Sequence, residues 1–430
     1  MKLLKKISPG RIIVLGFFSV IVIGTILLKL PISIREGVEV SWVDALFTST
    51  SAVCVTGLIA IDTADTFTVF GRAVVALLIQ VGGLGVTSVG VGFILLMGKK
   101  VGIKERVLIK ESMNLDSMKG LVRLVKSVLL LTLSFEVVGV ILSYLVFSQD
   151  YKPLDALGIS VFHSIAAFNN SGFDILGGLQ NLIPYQNNVL LNLTTCGLII
   201  FGGLGFLVIK EVIAVRNFKK FSLHTKVVLT VTPILLIVGT ILLKATEDIS
   251  WLGAFFFSTS ARTAGFSTYP LGEFTNAGLF TLTILMFIGA SPGSTGGGIK
   301  TTTLFTLIKS IYSTSTNKNC VAFKRKIPTH VVFKAFNLIV LAILVVCVGT
   351  FLLSIIEPDS TFIALLFEVT SAFGTVGLST GITPDLKDLS KIIITVIMFI
   401  GRLGPMTMAS IWLVKEQSNA CYSEEPVIIG

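Results

Sequence analysis

Glycines in four related segments are the residues of this chain whose type and spacing could do chemistry. The segments align without gaps on the pattern F-x4-[AS]-x4-G-[FL], and their shared glycines are Gly57, Gly172, Gly265 and Gly377. Glycine reaches backbone conformations that other residues avoid, so a loop built on it can turn its carbonyl oxygens to one side. Four such loops around one axis would offer peptide oxygens in place of the water around a metal cation.

The strength of this pattern comes from its repetition. The copies run from Phe47 to Leu58, Phe162 to Phe173, Phe255 to Phe266 and Phe367 to Leu378. One copy would be weak evidence, whereas four copies in equivalent surroundings are strong evidence of internal repeats.

Two kinds of helix must position these loops. About a dozen mostly apolar residues precede each glycine, which is too short to span a bilayer and long enough for a half-membrane helix. Longer apolar runs, of the roughly 20 residues that cross a hydrocarbon core, include Ile12–Leu28, Val128–Phe147, Val228–Leu243 and Phe336–Ile356.

A second glycine cluster lies 24 to 30 residues after each of the four shared glycines, inside the next apolar run. The clusters are Gly82–Gly85, Gly202–Gly205, Gly289–Pro292 and Gly401–Gly404. Each repeat therefore reads as a long helix (M1), a short re-entrant helix (P), a glycine loop and a second long helix (M2). Close helix packing explains the glycine clusters better than a dinucleotide fingerprint does.

The predicted fold is an all-α membrane protein with four M1–P–M2 repeats, which makes eight transmembrane helices and four re-entrant pore helices around a central pseudo-fourfold cation pore. We expect repeat 1 at residues 1–98. A cytoplasmic loop then precedes each later repeat: repeat 2 within 99–210, repeat 3 within 211–315, and repeat 4 with a C-terminal tail within 316–430. Because non-helical backbone at membrane depth must be buried or line a wet cavity, the four loops are expected to share one axis.

Composition and charge agree with a membrane protein. Hydrophobic residues make up 53% of the chain and charged residues 13%, so lipid must be much of its solvent. The net charge of +10 is concentrated at the N-terminus (Lys2, Lys5, Lys6), in residues 99–126, 210–226 and 300–334, and at Lys415. By the positive-inside rule these clusters and both termini are cytoplasmic, which argues against nucleic-acid binding. Contact with anionic membrane lipid explains such loops, and docking of a cytoplasmic partner is the alternative.

Metal and nucleotide sites are not expected elsewhere. The cysteines (Cys54, Cys196, Cys320, Cys347, Cys421) and histidines (His163, His224, His330) are scattered, without ligand spacing. Gly293–Thr301 reads G-x-x-x-x-G-x-K-T, one residue longer than a P-loop and without the strand that a P-loop follows. The N-terminal apolar run is expected to be a retained helix rather than a signal peptide.

The third repeat differs from the others inside its second long helix. Proline and successive glycines disfavour a helix there, and the segment consists of Gly289, Ser291, Pro292, Gly293, Ser294, Thr295, Gly296, Gly297 and Gly298. We expect a loop that blocks the permeation path beneath the filter; a simple packed kink is the alternative. Arg402 lies mid-helix in the fourth repeat, where a charge needs a polar partner. The carbonyls of residues 291–298 are the expected partners of this latch.

Three other intramembrane charges are expected to be structural. Glu136 should pair inside the bundle, and Glu368 should hold a structural partner rather than relay protons. Arg262 stands beside a proposed cation filter, so we expect it to point away into a hydrogen-bonded scaffold.

The loop sequences resemble the Trk/Ktr/HKT superfamily of cation transporters, most closely KtrB-type membrane subunits. The resemblance covers essentially the whole chain and rests on Val53–Leu58, Asn169–Phe173, Arg262–Phe266, Phe373–Leu378, Met398–Pro405 (MFIGRLGP) and Glu416–Asn419 (EQSN). It implies potassium uptake, often sodium-stimulated, at a bacterial plasma membrane. It also implies a homodimer gated by a cytoplasmic ring of RCK-type nucleotide-binding subunits, similar to KtrA or KtrC.

Within that family a serine at the first filter glycine accompanies sodium preference, so four glycines favour K⁺ here. The resemblance implies ion coordination by the backbone carbonyls of Val55, Thr56 and Gly57; Asn170, Ser171 and Gly172; Thr263, Ala264 and Gly265; and Thr375, Val376 and Gly377. It implies no organic cofactor, with K⁺ and possibly Na⁺ as the ions.

Other functions remain alternatives at this point. A less selective K⁺/Na⁺ transporter would use the same loops. An alternating-access secondary transporter would be expected to show inverted repeats, whereas these four run in one orientation. An intramembrane enzyme would need a nucleophile with a base, paired carboxylates or a metal motif, and the sequence shows none. A scaffold without transport would leave the four glycine loops unexplained.

Overall fold

The computed structural model describes residues 9–112, 120–412 and 425. The basic residues Lys2, Lys5, Lys6 and Lys415, the segment Glu416–Asn419 and Cys421 lie outside these residues. Helices dominate the described chain, and one short hairpin pairs β1 (Val321–Ala322) with β2 (Arg325–Lys326) in the basic loop before the fourth repeat.

The helices follow the four repeats in order. The first repeat contains α1 (Pro9–Lys29), α2 (Trp42–Cys54), α3 (Thr63–Thr66), α4 (Val69–Leu84) and α5 (Val86–Leu96), followed by α6 (Ile103–Ser112). The second contains α7 (Leu121–Phe147), α8 (Pro153–Phe168), α9 (Val189–Leu204) and α10 (Phe206–Val215). The third contains α11 (Leu223–Thr246), α12 (Trp251–Ser260), α13 (Asn276–Phe287) and α14 (Thr301–Ser315). The fourth contains α15 (Thr329–Ile356), α16 (Phe362–Gly374), α17 (Asp388–Leu403) and α18 (Pro405–Trp412).

The four predicted M1 spans are confirmed as α1, α7, α11 and α15. By length and composition these four described helices can each cross a membrane. Each of two bent helix pairs is also long and apolar enough when the pair is taken as one span. Large apolar side chains such as Phe18, Leu130 and Phe351 are more than half exposed along them. Outward apolar surface on long helices is what a lipid-facing bundle requires.

The M2 segments were expected to be continuous outside the third repeat, and this expectation was wrong. The chain bends by 98° between α4 and α5 and by 93° between α9 and α10. The breaks fall at Gly85, Gly205 and Gly404, which have φ of 82°, 93° and 86°. Each glycine ends one helix in a conformation that L-residues rarely adopt, so the following residues start a new helix. The boundary predicted between repeats 2 and 3, after residue 210, falls within α10.

The repeats close into a ring. Each M2 helix packs against the pore helix of a neighbouring repeat: α4 on α8, α9 on α12, α13 on α16, and α17 on α2. The last pair joins the fourth repeat back to the first. An ion pair between Lys391 Nζ and Asp44 Oδ1, 2.9 Å long, lies at this closure. The pore helices therefore stand inside a closed circle of M2 helices.

Candidate functional site

The short helices α2, α8, α12 and α16 all end at the proposed filter loops. Ser41, Ser250 and Thr361 cap three of them by accepting a hydrogen bond from the backbone N–H three residues on. Pro153 begins the fourth, α8. Helix C-termini carry a partial negative charge, so these ends favour a cation in the space that they face.

The four loops share an unusual backbone pattern. In each loop the glycine and the residue two positions before it have positive φ: 57° and 92° at Val55 and Gly57, 60° and 70° at Asn170 and Gly172, 80° and 76° at Thr263 and Gly265, and 50° and 95° at Thr375 and Gly377. In a regular strand successive carbonyls point to opposite sides. Placing a residue of ordinary φ between two of positive φ breaks that alternation.

The structure brings the four glycines together in one ring. A Cβ built on Gly57 would lie 3.1 Å from Gly172 Cα, and one on Gly172 would lie 2.9 Å from Gly265 Cα. One on Gly265 would lie 3.0 Å from Gly377 Cα, and one on Gly377 would lie 2.8 Å from Gly57 Cα. Each glycine therefore abuts the next repeat, and the fourth abuts the first.

Carbonyl oxygens lie at every junction of this ring. The atoms nearest to the added Cβ are the carbonyl oxygens of the residues just before the neighbouring glycines: Ser171, Ala264, Val376 and Thr56 in turn. A side chain at any of the four glycines would overlap or crowd one of these oxygens. The close approach of the four loops thus requires glycine.

Hydrogen bonds behind the loops fix their shape. Ser51 Oγ accepts from Gly57 N at 3.0 Å and donates to Leu58 O at 2.8 Å. Ser371 Oγ accepts from Gly377 N at 3.0 Å in the fourth repeat. The second repeat has Ala166 at the corresponding position, so its loop lacks this hydroxyl.

The second loop is held from its outer side instead. Asn181 Nδ2 donates to Gly172 O at 3.0 Å and to Asp174 Oδ2 at 2.9 Å. Asp174 lies in the loop between α8 and α9, and burial raises the pKa of its carboxyl to about 6. Because Gly172 O accepts from a side chain, the ring is not chemically fourfold.

The segment between α13 and α14 docks directly against two filter loops. Gly297 N donates to Thr375 Oγ1 at 3.0 Å, and a Cβ on Gly296 would overlap Thr263 Oγ1. On another side Ser291 N donates to Gly203 O at 3.0 Å, and Phe206 N donates to Gly293 O at 3.0 Å. The loop therefore lies between the filter loops and the break in the second repeat's M2 helix.

Arg402 ties this loop to the first repeat. Its Nη1 donates to Thr295 O, and its Nη2 donates to Gly82 O. Thr295 is one of the partners predicted in residues 291–298, whereas Gly82 of the first repeat is a partner that the sequence did not predict. A single guanidinium of the fourth repeat thus connects the M2 segments of the first and third repeats near their breaks.

Lys300 is a second cation at the loop that the sequence analysis missed. By sequence it belongs to the basic residues 300–334 of the loop before the fourth repeat. Its Nζ donates to Gly296 O at 2.6 Å and to Gly297 O at 3.0 Å, within the same segment. Its place just after three glycines in an apolar run was the available signal.

A family model described as TrkH, a cation transport protein, matches residues 10–249 and 223–422. The chain belongs to this family. It is 39% identical over 438 residues to the Ktr system potassium uptake protein B of Bacillus subtilis, covering 99% of this chain and 97% of that protein. It is 38% identical over 444 residues to the potassium/sodium uptake protein NtpJ of Enterococcus hirae, covering 99% and 98% of the two chains.

A solved structure shares the fold. The potassium transporter TrkH from Vibrio parahaemolyticus matches with a TM-score of 0.71 at 19% identity, over 93% of this chain and 86% of that one. The predicted fold of four M1–P–M2 repeats is confirmed. Family membership identifies this chain as a multi-pass cation transport protein rather than an enzyme.

Two buried carboxylates of this cation transport protein lie beside the proposed filter loops. Glu136 Oε1 accepts from Asn169 Nδ2 at 3.2 Å, at the end of the second pore helix. Glu368 accepts from Thr380 N at 3.1 Å and from Thr383 Oγ1 at 2.9 Å. Both contact the chain beside a filter loop, so each has the polar partner inside the bundle that the sequence predicted.

Arg262 does point away from the ring, but the prediction that a hydrogen-bonded scaffold surrounds it was wrong. It is 7% exposed, and its Nε has no hydrogen-bond partner within the described part of the chain. The side chain lines a small cavity between α9, α11 and α12.

Removing one supporting hydroxyl of this cation transport protein tests whether the loops need their rear hydrogen bonds. Ser371→Ala leaves the buried Gly377 N–H unpaired, so we expect a loss of about 1–3 kcal/mol in the free energy of unfolding. Thermal unfolding of the purified protein measures this. Ser354→Ala is the matched control, since that hydroxyl donates to Thr350 O within its own helix. Equal shifts in the two variants would contradict the supporting role.

Proposed function

We propose that this chain takes up potassium ions across a bacterial plasma membrane through a channel-like pore at the ring of filter loops. The observation that carries the proposal is the contact of Gly57, Gly172, Gly265 and Gly377 with one another around a closed circle of repeats. Four related loops in that arrangement can surround a single ion on the axis. The names of the relatives from Bacillus subtilis and Enterococcus hirae, both uptake proteins for potassium, support this choice of ion.

The coordinating atoms in this proposal are backbone carbonyls. They belong to Val55–Gly57, Asn170–Gly172, Thr263–Gly265 and Thr375–Gly377. The positive φ at two positions of each loop supports carbonyls that face one side. Pore-helix C-termini at all four loops add favourable potential for a cation. Gly172 O is the weakest of these ligands, because it already accepts from Asn181.

The segment 289–298 is proposed as the gate, with Arg402 as its latch. Contacts of Gly296 and Gly297 with two filter loops support a position on the ion path. The positive charges of Arg402 and Lys300 would also oppose a cation there. Opening requires that the loop leave Thr375 and that Arg402 release Thr295.

Partners and orientation are part of the proposal, and the family and the charge pattern support them. We propose a homodimer with cytoplasmic termini, controlled by a cytoplasmic RCK-type nucleotide-binding subunit. The word "system" in the Bacillus subtilis relative's name supports an assembly of more than one component. Basic loops after α5, α10 and α14 support their cytoplasmic placement. Stimulation by sodium is part of the same proposal.

Ion flux through the purified chain in liposomes tests this function. We expect potassium flux to exceed sodium flux, to exceed the flux of empty liposomes, and to rise when the cytoplasmic partner is added. Equal potassium and sodium fluxes would favour the less selective transporter, which the name of the Enterococcus hirae relative supports. Absence of any cation flux from folded protein would contradict the proposal.

A further inference from the structure

Asn181, in the loop between α8 and α9, joins the second and third filter loops. Its Nδ2 donates to Gly172 O at 3.0 Å, and its Oδ1 accepts at 3.0 Å from the N–H of Ser267, which follows the third loop. Within the described part of the chain, Gly172 O is the only proposed filter carbonyl that accepts a hydrogen bond from a side chain. This amide therefore acts at the junction where Gly172 abuts Gly265.

The Asn181 amide uses all of its hydrogen-bonding capacity. Its Nδ2 also donates to Asp174 Oδ2 at 2.9 Å, and its Oδ1 also accepts from Leu182 N at 3.0 Å. An amide has two donor hydrogens and two acceptor lone pairs, so none is left over. Three of the four partners are backbone groups whose roles as donor or acceptor are fixed, so the amide can face only one way. Aspartate in the same place would lack both donors.

The segment that carries Asn181 is also fastened to the first repeat. Gly178 N donates to Asp65 Oδ2 at 2.9 Å, and Leu179 N donates to Asp62 Oδ2 at 2.7 Å. Asn181 itself has φ of 51°, a left-handed conformation that asparagine adopts more readily than most residues. The donor is therefore held in place from outside the filter loop that it contacts.

We propose that Asn181 is a positioning residue that favours potassium over sodium by acting on Gly172 O, an inference that rests on the proposed function of the ring. The N–H at this oxygen competes with the permeant ion and weakens the field that the second loop presents. Sodium is smaller and costs more to dehydrate, so it depends more on strong oxygen ligands. The link to Ser267 N also opposes contraction of the second loop around a smaller ion. Both effects disfavour sodium more than potassium.

Exchanging two side chains isolates the bond to Gly172 O. The double variant Asn181→Asp with Asp174→Asn keeps the net charge. The amide at residue 174 can keep its oxygen on Leu176 N and donate to the carboxylate at residue 181. That carboxylate still accepts from Ser267 N, so Gly172 O alone loses its partner. We expect the ratio of potassium flux to sodium flux in liposomes to fall about two- to tenfold, which corresponds to one neutral hydrogen bond.

Single variants separate this bond from effects of charge. Asp174→Asn alone keeps the bond of Asn181 to Gly172 O and should lower the flux ratio less than the double variant does. Asn188→Asp is the matched control and should leave the ratio unchanged. It adds a carboxylate in the same loop, and aspartate caps a helix as well as the Asn188 oxygen that accepts from Leu191 N at 3.0 Å. A merely structural role for Asn181 would lower thermal stability and both fluxes without shifting their ratio.

The double variant decides between the outcomes. A wild-type flux ratio in this variant, when folded, would overturn the inference and leave the proposed function standing. If a carboxylate at residue 181 prevents folding, Asn181→Ala removes the same donor without adding a charge and should show the same fall. An unchanged ratio in Asn181→Ala would then overturn the inference. A wild-type chain that passes no cation would contradict the proposed function, and this inference with it.

Discussion

Replacing Gly57 with serine is expected to raise sodium permeation relative to potassium, lowering the potassium preference by about tenfold, or roughly 1.4 kcal/mol. Gly57 has φ of 92°, and a Cβ there would overlap the carbonyl oxygen of Ser171. The overlap is with backbone, so the neighbouring loop must move and the oxygen ring must widen. A wider ring holds a dehydrated potassium ion less well and admits a partly hydrated ion.

Gly381→Ser separates backbone strain from ring geometry. Gly381 has φ of 100° but open space around its Cβ position, so its substitution carries a comparable conformational cost without displacing a carbonyl. Potassium and sodium fluxes of both variants in liposomes provide the measurement. An unchanged potassium-to-sodium ratio in folded Gly57→Ser would count against the assignment of the filter.

The four glycines should not respond equally. A Cβ on Gly172 would lie 2.7 Å from Ala264 O, a milder overlap than those at Gly57, Gly265 and Gly377. Serine at residue 172 should therefore change selectivity least among the four.

Removing the Arg402 latch is expected to raise basal cation flux. The guanidinium joins Thr295 O to Gly82 O, and a hydrogen bond from a charged group contributes about 1.5–3 kcal/mol. Losing one such link in Arg402→Ala should increase the fraction of open loops by about tenfold or more. Flux through liposomes without the cytoplasmic partner measures this directly.

Lys300→Ala is the comparison for this effect. Its amine bonds to Gly296 O and Gly297 O and to no other residue that the structure describes, so its loss loosens the loop without freeing it from the first repeat. A smaller rise in flux is expected. Lower or unaltered flux in folded Arg402→Ala would argue against a latch.

Deleting residues 291–298 should raise basal flux further. Ile288 and Ile299 pair in parallel across the base of the loop, so the two residues left between them cannot keep this bridge. Folding of the shortened chain is therefore checked before its flux is measured. Flux no higher than wild type, from folded protein, would mean that the segment does not obstruct the path.

The sequence predicted the outline of this fold because its signals were periodic and repeated. Runs such as Val128–Phe147 could only be long apolar helices, and α7 extends that run to Leu121. The four-copy glycine pattern likewise predicted the short helices and the meeting of their loops. Both inferences needed only lengths and spacings, which sequence states directly.

The breaks at Gly85, Gly205 and Gly404 were missed because a glycine within an apolar run is often tolerated in a helix. Whether the chain turns there depends on how the helices pack. Gly82 and Gly202 lie so close to the carbonyl oxygens of Val53 and Phe168, near the ends of pore helices, that a side chain would not fit. Arg262 was misjudged for a similar reason. Three helices together form the cavity beside Arg262, so no local sequence pattern predicts it.

The M2 breaks have a mechanical consequence. The breaks of the other three repeats meet segment 289–298, the second by direct hydrogen bonds and the first and fourth through Arg402. The inner pieces α5, α10 and α14 are thereby jointed to the outer bundle rather than continuous with it. Under the proposed gating, a force on those inner pieces moves them separately from the outer bundle and draws segment 289–298 away from the filter loops, whose own positions need not change.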